Sequence, residues 1–222
     1  MSKLNIFDDN SYSKEYVEFL LSKLNEYNQM KTNYRCAAMN IENRFKILNE
    51  QFSSSHNYNP IETIKTRMKS EESLYRKLQL RNIPFTLEAI QENITDIAGV
   101  RVICSFEKDI YQLADILLNQ DDLILVERKD YIKEPKPNGY RSLHLIIKTP
   151  IYDQNEKLMI NVEVQLRTIA MDFWASLEHK LRYKKDLSEQ QLAELSDGLL
   201  HCAQISSLLD LEMQNLCDRI LK

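Results

Sequence analysis

The run YIKEPKPNGYRSLH, from Tyr131 to His144, brings cations, turn formers and an aromatic platform into one short stretch. From Arg128 to Lys148 there are six Lys or Arg and two acids, a local charge of +4 in a chain of formal net charge −4, so the positive charge is concentrated here. Pro135, Pro137 and Gly139 interrupt helix and strand. The loop can then present Lys136 and Tyr140 at its tip, while Arg141 and His144 enter the following strand. Cations attract phosphate, and a ring between cations is a platform for a purine. These residue types suit a phosphorylated nucleotide or single-stranded RNA.

A second group of cations lies upstream. Between residues 60 and 82 there are six basic residues and three acids, a local charge of +3. Residues 60–80 carry a helical pattern, with Asn59 before Pro60 as its cap. On that helix Lys69, Ser73 and Lys77 fall at i, i+4 and i+8, one stripe able to grip a polyphosphate, with Arg67 upstream to stack on a base or pair with phosphate. The plain alternative is a solvated helix face. Two acids complete the set: Asp96, just before the apolar run AGVRVICSF, and Glu163, on the polar face of NVEVQLR. Magnesium takes one or two carboxylates and fills its shell with substrate phosphates, so these acids beside two cationic patches form a coherent metal and phosphate site. Alternatively, Glu163 pairs with Arg101 or Arg167. Alternation places His144 on the polar side of its strand, toward the same cleft as Glu163.

These residues need a scaffold. Apolar or small residues from Val17 to Phe52 recur at steps of three and four without proline or glycine, giving one or two long helices. Beyond Pro84 the pattern changes to short β-branched runs: 98–106, 123–128, 141–148 and 158–167 read as strands, with helices over 108–119 and 168–184. The order implies an α/β (α+β) fold, a mixed sheet of about five strands flanked by helices. The C-terminal segment carries an apolar seam at Leu192, Leu195, Leu199, Cys202, Ser206, Leu209, Met213, Leu216 and Ile220. That spacing serves either packing on the same domain or contact between subunits.

At 222 residues with 43% hydrophobic content, the chain can bury a sizeable core. A pI near 5.7 argues against a dedicated binder of duplex DNA. Cys36, Cys104, Cys202 and Cys217 lack metal-ligand spacing and read as reduced, mostly buried thiols. No stretch approaches a membrane span or a signal core, so a soluble cytoplasmic protein is expected. Phosphate-binding GxxxxGK[ST], dinucleotide GxGxxG and metalloprotease HExxH motifs are absent from the sequence.

The run from His56 to Leu78 containing PIETIKTRMKSEESLYRKL, then DIAGVRVICSF (96–106), KDYIKEPKPNGYRSLH (129–144) and VEVQLRTIAMDFWASLEHK (162–180), resemble in wording and order the small alarmone synthetases of the RelA/SpoT homologue family. The resemblance covers roughly residues 56–184, and the wording DFWASLEHK and NGYRSLHLII looks like the RelP branch rather than the RelQ branch. It implies a nucleotidyltransferase-like synthetase domain over 56–184, an N-terminal helical extension over 1–55 and an oligomerising helix over 185–222. It also implies magnesium-dependent transfer of the β,γ-pyrophosphate of ATP to the 3'-hydroxyl of GDP or GTP.

Residue by residue, the resemblance implies that Arg67 and Arg101 sandwich adenine while Lys69, Ser73 and Lys77 hold the ATP phosphates. Asp96 is the implied magnesium ligand, and Glu163 assists the metal and activates the 3'-hydroxyl. Tyr140 stacks on guanine, with Lys136, Arg141 and His144 near the acceptor phosphates and Gln165 beside the catalytic strand. Lys129 stands where long members of the family differ between a basic and an acidic version, and is expected to bias acceptor choice. The resemblance further implies a homotetramer built through terminal helices. His56, His144, His179 and His201 are followed by Asn, Leu, Lys and Cys, so the His-Asp pair of the family's hydrolase domain is missing and synthesis without hydrolysis is expected. Two rivals stay open: a nucleotidyltransferase-like enzyme acting on another substrate class, and a non-catalytic module binding nucleotide or RNA.

Overall fold

In a computed structural model, described for residues 14–55, 58–153, 156–182 and 188–220, a 42-residue helix, α1 (Lys14–Ser55), lies across a five-stranded sheet. The chain then runs β1 (Ile61–Met68), α2 (Glu71–Leu80), α3 (Leu87–Asn93), β2 (Ala98–Cys104), α4 (Glu107–Leu118), β3 (Ile124–Asp130), β4 (Leu143–Asp153), β5 (Glu156–Thr168), α5 (Ile169–Arg182) and α6 (Glu189–Ile220). Strand order is β1-β2-β5-β4-β3, with β2 and β5 parallel and every other pair antiparallel.

The mixed sheet matches the expectation, but its first strand corrects one. Residues 60–80 do not form a single helix: Arg67 lies on β1, Lys69 in the turn after it, and only Ser73 and Lys77 on α2. Ile61, Thr63, Ile64 and Thr66 are β-branched and favour the extended chain. Asn59 accepts a hydrogen bond from the Ile61 amide and so shapes the entry to a strand. The helix cap is Ser70, whose hydroxyl accepts from the Ser73 amide, with Glu71 and Glu72 in the first turn complementing the helix dipole.

One face of the sheet is sealed. Val100, Val102, Val162, Val164, Leu166, Leu143, Leu145 and Ile147 pack with Tyr34, Ala37, Ala38, Ile41, Phe45 and Leu48 of α1 and with Ile110, Leu113, Ala114 and Leu117 of α4. Alternation sends the remaining residues of the same strands to the opposite face.

α6 docks with only part of the apolar seam. Leu199 of the seam is buried against the domain together with Ala203, Asp210 and Gln214, whereas Leu209 is 56% and Ile220 75% exposed. Polar bonds fix this docking: the Gln214 side chain accepts from the Lys108 amide at the start of α4, and Asp210 accepts from the Thr168 hydroxyl at 2.8 Å. The cysteines also depart from expectation. Cys104 alone is buried; Cys36 and Cys202 are exposed and Cys217 is half-buried, because they sit on outer faces of α1 and α6.

The basic loop is held against α6 at Gly139. Its φ of +88° disfavours any side chain, and a Cβ there would lie 2.4 Å from that of Ala203. Gly139→Ala should therefore cost at least about 2 kcal/mol through backbone strain and overpacking, read as a lowered urea midpoint with unchanged m-value.

Candidate active site

Strand register assembles the open face into rows. Lys65 pairs with Arg101, Arg101 with Gln165, Gln165 with His144 and His144 with Lys129, one residue from each of the five strands. In the neighbouring row Arg67 pairs with Gly99 and Gly99 with Glu163. Residues separated by up to 100 positions in sequence thus share one surface because five strands keep parity.

Glu163 lies at the centre. Its carboxylate takes a hydrogen bond from the Gln165 amide at 2.7 Å, lies 3.2 Å from His144 Nδ1, and meets Arg67 Nη2 at 3.3 Å. Burial alone would raise its pKa, but the bonds from His144 and Gln165 and the Arg67 charge outweigh burial and bring it down to about 2. Burial pushes His144 below its ordinary value against the opposing pull of Glu163, so at neutral pH the ring is uncharged. An ionised carboxylate only accepts, so Nδ1 carries the proton and donates to Glu163. Nε2 then accepts from the Tyr140 hydroxyl at 2.8 Å, and Tyr140 oxygen accepts from Arg167 Nη2 at 2.6 Å.

Asp96 is held by the two cations expected to meet phosphate. Lys69 Nζ lies 2.8 Å and Lys77 Nζ 2.7 Å from its two oxygens. Burial opposes ionisation here too, yet both lysines hold its pKa below the usual carboxylate value. Two ionised carboxylates offer the hard oxygen ligands that magnesium favours, with room in its shell for phosphate, so Asp96 and Glu163 fit that metal. No cluster of three or more potential metal ligands occurs among the described residues.

Two recesses flank these acids. Lys65, Thr66, Arg67, Gly99, Val100, Arg101 and Gln165 line a slot of about 230 Å³. Gly99 lies under the Arg67 side chain, where a Cβ would come 3.4 Å from Arg67 Nε. On the other side Tyr131, Tyr140 and His144 meet edge to face, with centroids 5.2 to 6.0 Å apart, and Lys136 Nζ stands 4.5 Å from the Tyr131 ring and 4.9 Å from Tyr140.

Of the residues singled out in the sequence, Arg67, Lys69, Lys77, Asp96, Arg101, Lys136, Tyr140, His144, Glu163 and Gln165 gather on this face through the bonds, rings and slot just described. Ser73 stays at the start of α2, bonded to Ser70. Lys129 lies beside His144 in the register and pairs with Glu127. Arg141 turns away, engaged by Glu107 at 2.7 Å and Asp210 at 3.4 Å, and ties the loop to α4 and α6. The sequence offered Arg167 only as an ion-pair partner of Glu163, which instead meets Arg67, and assigned no site role to Tyr131 or Asp172. Arg167 continues the parity of Glu163 and Gln165, and Tyr131 opens the basic loop, so both had a visible signal. Asp172 had none, because its role depends on how α5 leaves β5.

A face with two ionised acids, cations beyond those needed to neutralise them, and separate arginine-lined and tyrosine-lined recesses belongs to a class that handles two phosphorylated, ring-bearing ligands at once. The chain belongs to the RelA/SpoT family: the model described as the region found in RelA / SpoT proteins matches residues 66–188. It is 46% identical over 180 residues to the GTP pyrophosphokinase YwaC of Bacillus subtilis, covering 81% of this chain and 85% of that protein. Among solved structures it resembles small alarmone synthetase 2 of Bacillus subtilis, with TM-score 0.77, 42% identity, and coverage of 88% of this chain and 100% of that one. It also resembles small alarmone synthetase 1 of the same organism bound to its product pppGpp, with TM-score 0.80, 30% identity, and coverage of 89% and 99%.

Because folding lowers the Glu163 pKa from 4.5 to about 2, its contribution to stability is full above pH 4.5 and is lost as pH falls toward 2. Glu163→Gln should therefore be less stable than wild type at neutral pH, with the two curves converging as pH approaches 2. Urea midpoints at a series of pH values check this.

Proposed function

We propose that the protein is a synthesis-only alarmone synthetase that transfers the β,γ-pyrophosphate of ATP to the 3'-hydroxyl of GDP or GTP, giving guanosine tetra- or pentaphosphate and AMP. One observation supports the reading: the ionised Glu163 is bonded on one side to Arg67 of the arginine-walled slot and on the other to His144, which the tyrosine-lysine cage of the basic loop contacts. The catalytic unit is residues 56–184, flanked by an N-terminal extension (1–55) that contains α1 and a C-terminal one (185–222) that contains α6; residues 1–13, 56–57, 183–187 and 221–222 lie outside the described residues. Adenine enters between Arg67 and Arg101. Guanine stacks on Tyr140 beside Lys136, whose ammonium moves to the acceptor phosphates, with His144 and Gln165 bordering the acceptor and Lys129 biasing its choice, while Arg141 anchors the loop through Glu107 and Asp210.

The reaction forms a bond from the 3'-oxygen to the β-phosphorus and breaks the bond from that phosphorus to the oxygen bridging to the α-phosphate, so AMP departs with that oxygen. The ATP polyphosphate draws Lys69 and Lys77 from Asp96, with Ser73 at the N-terminus of α2 adding a donor. Magnesium, held by Asp96 and Glu163, would supply charge neutralisation at the phosphates. Glu163 takes the proton of the 3'-hydroxyl. With a pKa of about 2 it is a weak base in the free protein, so its basicity must grow on binding. Two changes supply this: Arg67 leaves it to face adenine, and incoming phosphate charge raises its proton affinity.

Incubation with ATP, magnesium and GDP or GTP, followed by nucleotide separation, should show AMP and a guanosine bearing a 3'-pyrophosphate; free pyrophosphate without AMP would indicate nucleotidyl transfer to another acceptor instead. Glu163→Gln should abolish synthesis, a loss of at least about 10²-fold for a general base, while both nucleotides still bind. Tyr140→Ala should weaken the guanine nucleotide by about 1–3 kcal/mol and leave ATP affinity nearly unchanged, as equilibrium titration would show.

The proposal extends to assembly and location. We infer a cytoplasmic homotetramer joined through the terminal helices; among the described residues no helix is long and apolar enough to cross a membrane. An apolar groove of about 600 Å³ between α5 and α6, walled by Ile169, Phe173, Ile205, Leu209 and Met213, supports subunit contact, as does the exposed seam of α6. Light scattering should give a tetramer, and Leu209→Glu with Met213→Glu should yield smaller species.

A further inference from the structure

Arg101 and Arg167 meet on one carboxylate oxygen. Arg101 Nη1 donates to Asp172 Oδ1 at 3.2 Å, and Arg167 Nη1 donates to the same atom at 3.1 Å. Asp172 is 15% exposed, Arg167 only 5%, and the Nε of each arginine has no hydrogen-bond partner among the described residues. Two guanidinium groups this close repel, and Asp172 holds both in place. Each arginine serves a different recess. Arg101 walls the slot between β1 and β2. Arg167 reaches the other way, its Nη2 donating to the Tyr140 hydroxyl at 2.6 Å and to Gln165 Oε1 at 3.1 Å, with its guanidinium 5.1 Å from the Tyr140 ring. A continuous line thus runs from the slot through Asp172 and Arg167 to Tyr140, then through His144 to Glu163.

We propose that Asp172 is a positioning residue that couples the two nucleotide sites, so that filling the arginine slot favours the Tyr140 geometry that accepts guanine, and the reverse. The proposal rests on the reading that adenine enters the slot and guanine stacks on Tyr140. A ligand that fixes Arg101 fixes Asp172, and through Arg167 the Tyr140 ring, so the second ligand meets a platform already ordered. Coupling of this kind is reciprocal. Asp172 touches neither base and acts only through its two arginines.

The test is calorimetric titration of GDP with magnesium, with and without a saturating ATP analogue whose α,β-bridge is methylene. In wild type the analogue should tighten GDP by at least about 5-fold. In Asp172→Asn that ratio should fall below about 2-fold, while Asp172→Glu, which keeps the charge, should retain most of it. A role confined to stability would lower the unfolding midpoint and leave the ratio untouched. Arg167→Lys provides a second route should Asp172→Asn fail to fold: it keeps the charge, loses the fork that spans Asp172 and Tyr140, and should also collapse the ratio. A wild-type ratio of one, or a folded Asp172→Asn or Arg167→Lys with the wild-type ratio, overturns the coupling. Failure of the two-nucleotide reading looks different: wild type would bind neither ligand, or Arg101→Ala would leave analogue affinity unchanged, and the coupling would fall with it.

Discussion

The architecture depends on keeping one carboxylate ionised in a place nearly closed to water. Glu163 is 12% exposed, and burial by itself would raise its pKa. What prevents this is a directional set of donors: Gln165 from the same strand, His144 from the adjacent strand and Arg67 from the sheet edge. Each arrives from a different element, so no local segment could create the site alone. The uncharged His144 is as necessary as the arginine, because its tautomer is fixed by the hydrogen bond on its other nitrogen, which leads to Tyr140 and then to a buried guanidinium.

Register is the second constraint. Since side chains alternate, sliding β5 by one residue against β2 would send Glu163, Gln165 and Arg167 into the apolar layer under α1 and expose Val162, Val164 and Leu166. The core prevents that slip. Tyr34, Ile41 and Phe45 of α1 pack on the face that lacks chemistry, and by doing so set which residues reach the face that has it. Gly139 lets the basic loop lie against Ala203 of α6.

Parity along a strand was readable without coordinates, and with it the shared face of His144, Glu163 and Gln165. β1 was harder to see because it is an edge strand with mostly exposed side chains, so Ile61, Ile64 and Met68 are compatible with either period. The same ambiguity placed Arg67, Lys69 and Lys77 on one helix, although Lys69 and Lys77 still converge on Asp96 from a turn and from α2. Arg141 shows a different limit. Its position in a basic loop suggested phosphate, but whether it meets a ligand depends on Glu107 and Asp210, which come from two distant helices. The α6 seam was legible as apolar spacing, while the side that docks on the domain includes Asp210 and Gln214, which no hydrophobic pattern could pick out.

In the free protein the cations of the site rest on its own acids: Lys69 and Lys77 on Asp96, Arg67 on Glu163, Arg101 and Arg167 on Asp172. Leaving the recessed groups among these unpaired would be strongly unfavourable, so the internal pairs stabilise this face. They also set how a charged ligand is received. An incoming polyphosphate gains an ammonium only as Asp96 loses one, and the net electrostatic gain is the difference between two paired states. On the proposed reading, a cation bound by Asp96 would restore that balance, so metal and phosphate binding would be tied through the same residues. Asp172 differs from Asp96 and Glu163 in one respect. Its two arginines are held by a shared oxygen and point to opposite recesses, so a ligand that pulls on one changes the hold on the other without entering its site.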